Sequence, residues 1–233
     1  MTILHCNLVE TIFFDLDHTL WDFDKNSALT FERIFKEENL QLPLEEFLAH
    51  YVPINHYYWK LYRENTITQE QLRLLQLEKT FEKMDLSFSA QQLHLISEQY
   101  INHLSTFPHL FDGTIPLLNH LQQHYELHLI TNGFEKVQHY KVQNSGLAPY
   151  FKKVFTAEQV GYKKPHPKIF KVALEKTATQ AENALMIGDS LEADILGAKA
   201  MVMQVLHFNS HAEPEHSHCP IVYSLKEMKA LFH

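Results

Sequence analysis

The spacing of apolar positions changes character along this chain. An apolar run, Ile12-Phe13-Phe14, comes first and gives way to a polar exit, Asp15 to Thr19. A run that is apolar at every position is the pattern of a strand buried on both faces. From about residue 21 to 106 the apolar positions instead recur at three- and four-residue steps. Leu74, Leu77, Phe81 and Met84 mark one helix face, and Leu93, Ile96, Tyr100 and Leu104 mark another. Each face follows a helix-start signal, Thr68-Gln-Glu-Gln71 or Ser89-Ala-Gln-Gln92. In such a capping box, hydroxyl and amide satisfy each other's free N–H groups. Helical spacing also fits 26–38 and 44–61. Several helices with short connections pack most simply as a bundle.

From about residue 107 onward, strands and helices alternate. Asp112-Gly113 reads as a turn, Thr114 as an N-cap, and Leu117, Leu118 and Leu121 as the buried face of a helix. A strand at 126–131 follows, then a helix ending near Gly146. Short strands are predicted at 154–156, 185–188, 202–208 and 221–223. Such alternation predicts a parallel sheet covered by helices. The expected fold class is therefore α/β, with a core made of residues 1–20 and 107–233 and a helical insertion at 21–106.

Composition narrows the function classes. The chain has 233 residues, enough for a sizeable core. Its formal net charge is −8, which argues against a nucleic-acid polymer as partner but leaves a small anionic ligand open. Cys6 and Cys219 are the two cysteines and lack metal or redox spacing, which points to a reduced, cytoplasmic setting. No cationic leader and no membrane-length apolar run is present, so no membrane association is expected. Seventeen histidines invite a metal reading, with His207, His211, His216, His218 and Cys219 clustered late. No paired cysteines complete a zinc-type set, and the segment 209–220 is read as a solvated loop.

The chemistry-bearing residues sit at the ends of the predicted strands. Asp15 and Asp17 leave the first strand, where ligands bind in open parallel α/β sheets. One carboxylate there can attack phosphorus while the other moves a proton, although an exposed acidic turn would read the same in isolation. Leu127-His-Leu-Ile-Thr-Asn-Gly133 ends a second strand with Thr131, Asn132 and Gly133, which can donate hydrogen bonds to phosphate oxygens. Gly161-Tyr-Lys-Lys-Pro-His-Pro-Lys168 leads into a helix, with Pro167 suited to its first turn. A lysine fixed there can neutralise phosphate charge, whereas paired lysines are also ordinary solvated surface. Ala184-Leu-Met-Ile-Gly-Asp-Ser-Leu-Glu-Ala-Asp194 ends another strand with Asp189, and Asp194 follows. Carboxylates at two strand ends can share a hard cation such as Mg²⁺.

Taken in order, these four segments resemble the four motifs of the haloacid dehalogenase-like hydrolase superfamily, from Asp15 to Asp194. The resemblance implies a Rossmann-like parallel-sheet core with an inserted α-helical cap. It also implies that Asp15 is the nucleophile, Asp17 the general acid and base, Thr131 the second-motif hydroxyl and Lys164 the third-motif lysine. Mg²⁺ would be held by Asp15, Asp189 and the main-chain carbonyl of Asp17. Asp194 would orient Lys164 or a metal-bound water. Thr131, Asn132, Gly133 and Lys164 would bind the phosphoryl group. An acid at position 17 favours phosphate esters over halides. His18 stands where many members of the superfamily carry glycine.

At a finer level, 15–24, 130–134, 188–198 and 61–68 are similar to the pyrimidine 5′-nucleotidases of the YjjG type. That likeness implies a small phosphorylated metabolite as substrate, a pyrimidine nucleoside 5′-monophosphate. A sugar-phosphate phosphatase or phosphomutase of the same superfamily is the alternative, and a non-catalytic binding protein on the same scaffold a remoter one. Tyr57, Tyr58, Trp59 and Arg63 are candidates for base contact, with packing into the helical segment's own core as the competing and favoured reading.

Overall fold

The structure, a computed structural model, describes residues 6–232. Cys6 opens a short 3₁₀ turn, Cys6–Leu8. The chain divides into two compact units, residues 1–23 with 108–233 and residues 24–107.

The first unit is built on six parallel strands: β1 (Thr11–Phe14), β2 (Glu126–Thr131), β3 (Lys153–Thr156), β4 (Ala184–Gly188), β5 (Gln204–Phe208) and β6 (Ile221–Val222). Their order is β3-β2-β1-β4-β5-β6. Every pairing is parallel, with Phe14 opposite Leu129 on one side and Ile187 on the other. The strand order runs outward from β1 in two directions, so the crevice beyond β1 and β4 is the topological switch point where such sheets bind ligands. All four residues of β1 and all five of β4 are buried, which explains their unbroken apolar runs. Phe13, Ile130, Phe170, Met186 and Ile195 belong to one buried cluster, and Cys219 is part of it.

Helices α1 (Phe23–Glu37), α2 (Leu44–Arg63), α3 (Gln69–Lys83) and α4 (Ala90–Leu104) make up the second unit. Its centre is aromatic. Phe31 lies 4.6 Å from the rings of both Phe47 and Tyr51 and 4.7 Å from Tyr100, and Phe47 contacts Phe81 at 5.4 Å. Ring pairs at these separations add to the area they bury. Both capping boxes form. Gln71 N–H donates to Thr68 Oγ1 and Gln92 N–H to Ser89 Oγ, and each glutamine side chain accepts the cap residue's own N–H at 2.9 Å.

Helices α5 (Thr114–Leu121), α6 (Glu135–Asn144), α7 (Ala157–Val160), α8 (Pro167–Thr177), α9 (Gly197–Lys199) and α10 (Leu225–Lys229) belong with the sheet. A π-helical stretch, Leu191–Leu196, runs into α9. Pro167 occupies the first turn of α8. No helix of the described residues is long and apolar enough to cross a membrane.

Three local expectations are revised. Gly113, not Thr114, takes the N-cap position of α5, at φ 91°, a left-handed conformation that costs glycine little. Thr114 becomes the first helical residue and donates its hydroxyl to the Phe111 carbonyl at 2.7 Å. The segment 209–220 is not simply solvated. Asn209 is buried and closes a turn by exchanging two 2.8 Å hydrogen bonds with the main chain of Glu213, and Cys219 returns to the core. Packing into the helical core also fails for Tyr57, which is 58% exposed, although Tyr62 on the same helix is buried.

Candidate active site

β1 ends at Phe14, and Asp15 N–H donates to the Ile187 carbonyl at 2.9 Å. That bond carries the sheet one residue further and fixes Asp15 over the ends of β1 and β4. The chain then turns sharply, with Leu20 and Trp21 N–H both returning to the Leu16 carbonyl. His18 takes φ 62° within that turn. A left-handed residue is where glycine is least strained, so the backbone here suits the glycine that His18 replaces.

Lys164 enters from the loop before α8. Its side chain is 2% exposed, and its ammonium lies 2.7 Å from Asp15 Oδ1, 2.6 Å from Asp194 Oδ1 and 2.7 Å from the Ile130 carbonyl. Lys163, its neighbour, stays partly exposed. Burial alone would lower Lys164, but the carboxylates of Asp15 and Asp194 override it and hold the ammonium at about 12. Burial pushes Asp15 up to about 7 against the pull of Lys164, with Asp194 and Asp17 adding to the rise. Asp189 is raised well above the usual carboxylate range, first by burial and then by Asp15 and Asp194. It accepts a hydrogen bond from Thr19 Oγ1 at 3.2 Å. Asp194 Oδ2 accepts from Ser190 N–H at 3.1 Å. A Cβ on Gly188 would stand 2.6 Å from that of Asp194, so a glycine at the end of β4 lets Asp194 fold back over the strand.

Oxygens of Asp15, Asp189 and Asp194 all lie within 4.8 Å of one another. Three crowded carboxylates facing one ammonium leave anionic charge that a hard cation relieves, and an all-oxygen set suits Mg²⁺. Asp194 is already committed to Lys164 and Ser190. Asp15 and Asp189 are therefore the side chains best placed to take a cation.

At the end of β2, Thr131 Oγ1 accepts from Gly133 N–H at 3.1 Å and from Gln138 Nε2 at 2.6 Å. Two donors into one hydroxyl oxygen leave its own hydrogen available to donate. Asn132 does something other than expected. Its amide donates to the Lys164 carbonyl at 2.9 Å and accepts from Lys164 N–H at 2.7 Å. Both ends of the side chain are spent on holding the Lys164 main chain.

Comparison with known proteins places the chain in a family. Residues 12–208 match the family model of the haloacid dehalogenase-like hydrolases. The chain belongs to that family. It is similar to the pyrimidine 5′-nucleotidase PynA of Streptococcus pneumoniae, 31% identical over 219 residues, which are 92% of this chain and 90% of PynA. It is also similar to the pyrimidine 5′-nucleotidase YjjG of Escherichia coli, 31% identical over 201 residues, 86% of each chain. A crystal structure of the HAD-hydrolase YfnB from Bacillus subtilis, bound to magnesium, superposes with a TM-score of 0.86 at 28% identity and covers 96% of this chain and 98% of its own.

This member of the hydrolase family carries site neighbours that its sequence did not announce. Lys141 and Gln138 on α6 reach Asp17, Lys141 Nζ at 2.5 Å from Oδ1 and Gln138 Nε2 at 2.8 Å from Oδ2. Burial lowers the Lys141 ammonium, against the raising effect of Asp17. The available signal was a glutamine and a lysine on the buried face of α6 beside Val137 and Val142. His207, fully buried on β5, donates from Nε2 to the Asp189 carbonyl at 2.7 Å. A carbonyl only accepts, so His207 Nε2 carries a proton; its Nδ1 lies 2.9 Å from His216 Nε2, and in the neutral ring it accepts there. The adjacent strand order of β4 and β5 makes this contact, and no sequence spacing marks it.

Proposed function

We propose that this hydrolase is a Mg²⁺-dependent phosphatase of small phosphomonoesters, with a pyrimidine nucleoside 5′-monophosphate as substrate. The observation that carries the reading is Asp15 at the switch point, ion-paired to buried Lys164 and flanked by Asp189, with Thr131 on the neighbouring strand end. The nucleotide preference rests on the likeness to PynA and YjjG.

In the first step an Asp15 carboxylate oxygen attacks phosphorus. The bond from phosphorus to the leaving oxygen breaks, and that oxygen takes a proton from Asp17. In the second step water attacks the aspartyl-phosphate, Asp17 takes the water's proton, and the bond to Asp15 breaks to release inorganic phosphate. Lys164 and the Thr131 hydroxyl hold the phosphoryl oxygens throughout, so the residues act mostly by position and charge. Asn132 and Asp194 act through Lys164. Asp15, Asp189 and the main-chain carbonyl of Asp17 would hold Mg²⁺, which would supply the positive charge that lets two anions approach. The place of action we infer is the cytoplasm.

The test is phosphate release with Mg²⁺ across nucleoside monophosphates, sugar phosphates and p-nitrophenyl phosphate. A higher kcat/KM for pyrimidine monophosphates than for any sugar phosphate is the expected result. Sugar phosphates as the better substrates would overturn the nucleotide assignment. No release from any ester would overturn the phosphatase reading.

A further inference from the structure

We propose that Lys141 and Gln138 are positioning residues for proton transfer, holding the Asp17 carboxylate by both of its oxygens. This inference rests on the phosphatase reading above. Lys141 is 3% exposed, so its ammonium does not reach out to water as long basic side chains usually do. It lies 4.1 Å from the centre of the Trp21 ring and 5.2 Å from that of Phe23, and its carboxylate partner is Asp17. Removing an ammonium from water is costly, and only well-placed partners offset the cost. A lysine kept there fixes where the Asp17 carboxylate points.

Gln138 ties that carboxylate to the phosphoryl-binding end of β2. Its Nε2 donates to Asp17 Oδ2 at 2.8 Å and to Thr131 Oγ1 at 2.6 Å. The Asp17 carboxylate only accepts, which turns the amide nitrogen toward it, and the Thr131 hydroxyl oxygen then accepts from the same nitrogen. One side chain therefore aims the Thr131 hydroxyl hydrogen and the Asp17 carboxylate together. Gly133 makes room for it, since a Cβ there would fall 2.0 Å from Gln138 Nε2 and 2.5 Å from its Cδ.

A buried ion pair could instead serve only to pin α6 to the exit of β1. Leaving-group chemistry separates the two roles. Alcohol leaving groups need a proton from Asp17 as they depart, whereas p-nitrophenolate leaves as a stable anion and needs little help. The ratio kcat/KM reports events up to departure of the leaving group, so it isolates this step from the later hydrolysis.

The experiment measures kcat/KM for glycerol phosphate, uridine monophosphate and p-nitrophenyl phosphate in Lys141→Met, Lys141→Arg and Gln138→Met. Lys141→Met and Gln138→Met are expected to lose about tenfold or more on the two alkyl esters relative to the aryl ester, within the range of general acid catalysis. Lys141→Arg should recover part of that selective loss. Equal loss on all three esters, or none, in variants with unchanged circular dichroism would overturn the inference. Should Lys141→Met fail to fold, Gln138→Met decides by the same ratio, since it removes no charge. An unmodified protein inactive on every ester would instead count against the phosphatase reading.

Discussion

Asp15 is a carboxylate that burial makes expensive to ionise, held next to an ammonium that has other partners. Lys164 keeps Asp194 and the Ile130 carbonyl if Asp15 becomes an amide. Asp15→Asn should therefore fold normally, leaving no buried charge without a partner, yet lose turnover by on the order of 10³-fold or more, because the amide is a poor nucleophile. Phosphate release together with a thermal melt checks both halves. Substantial activity in the folded variant would remove Asp15 from the role of nucleophile. Asp189 carries the second prediction. Asp189→Ala removes an oxygen from the carboxylate set, and calorimetric titration of metal-free protein should show Mg²⁺ binding weakened by about tenfold or more. Ca²⁺ should support turnover poorly, because it prefers more ligands and looser geometry. Unchanged Mg²⁺ affinity in Asp189→Ala would place the cation elsewhere.

The elements do two kinds of work. Strand ends carry the candidate site residues, and helix starts carry the caps. Thr131 and Gln138 belong to consecutive elements, β2 and α6, so the tight Asn132-Gly133 connection sets their distance. In the helical unit the work is local stability. Ser89 Oγ satisfies the Gln92 N–H at the start of α4, and the Gln92 side chain satisfies the Ser89 N–H in return. Ser89→Ala should lower stability by about 1 kcal/mol, read as a shifted urea midpoint at unchanged slope, with phosphatase activity retained at low denaturant. A shift within error would mean that water replaces the cap at no cost.

At the scale of the whole molecule, one chain segment leaves the sheet after β1 and another returns beside it. Asp22 N–H donates to the His109 carbonyl at 3.1 Å and Phe111 N–H to the Leu20 carbonyl at 3.0 Å, so the exit and the return run alongside each other. In the proposed mechanism the sheet residues handle the phosphoryl group, so discrimination among leaving groups is expected to depend on the inserted residues. Tyr57→Ala, Trp59→Ala and Arg63→Ala should then change the ratio of kcat/KM for uridine monophosphate to that for p-nitrophenyl phosphate. Turnover can fall along with affinity, because remote binding energy helps to place the reacting atoms. A constant ratio in all three would remove these side chains from the choice of leaving group.

The parallel sheet, the order of its strands along the chain and both capping boxes were legible in the sequence. The reason is that each is a local property. A continuous apolar run marks a strand buried on two faces, and a hydroxyl three residues before a glutamine marks a helix start, wherever the rest of the chain goes. The acidic residues could be assigned to strand ends on the same grounds. Periodicity and spacing did not say why those groups meet, and tertiary structure supplies the reason. The motif resemblance singled out Lys164, and it rather than Lys163 turns inward because Asn132, on the neighbouring strand's exit, holds its main chain. His207 reaches the Asp189 carbonyl because β5 lies beside β4, and Lys141 reaches Asp17 because β2 and its helix lie beside β1. Those contacts join residues far apart in sequence, and periodicity, which reports only which face of an element is apolar, carries no record of its neighbour.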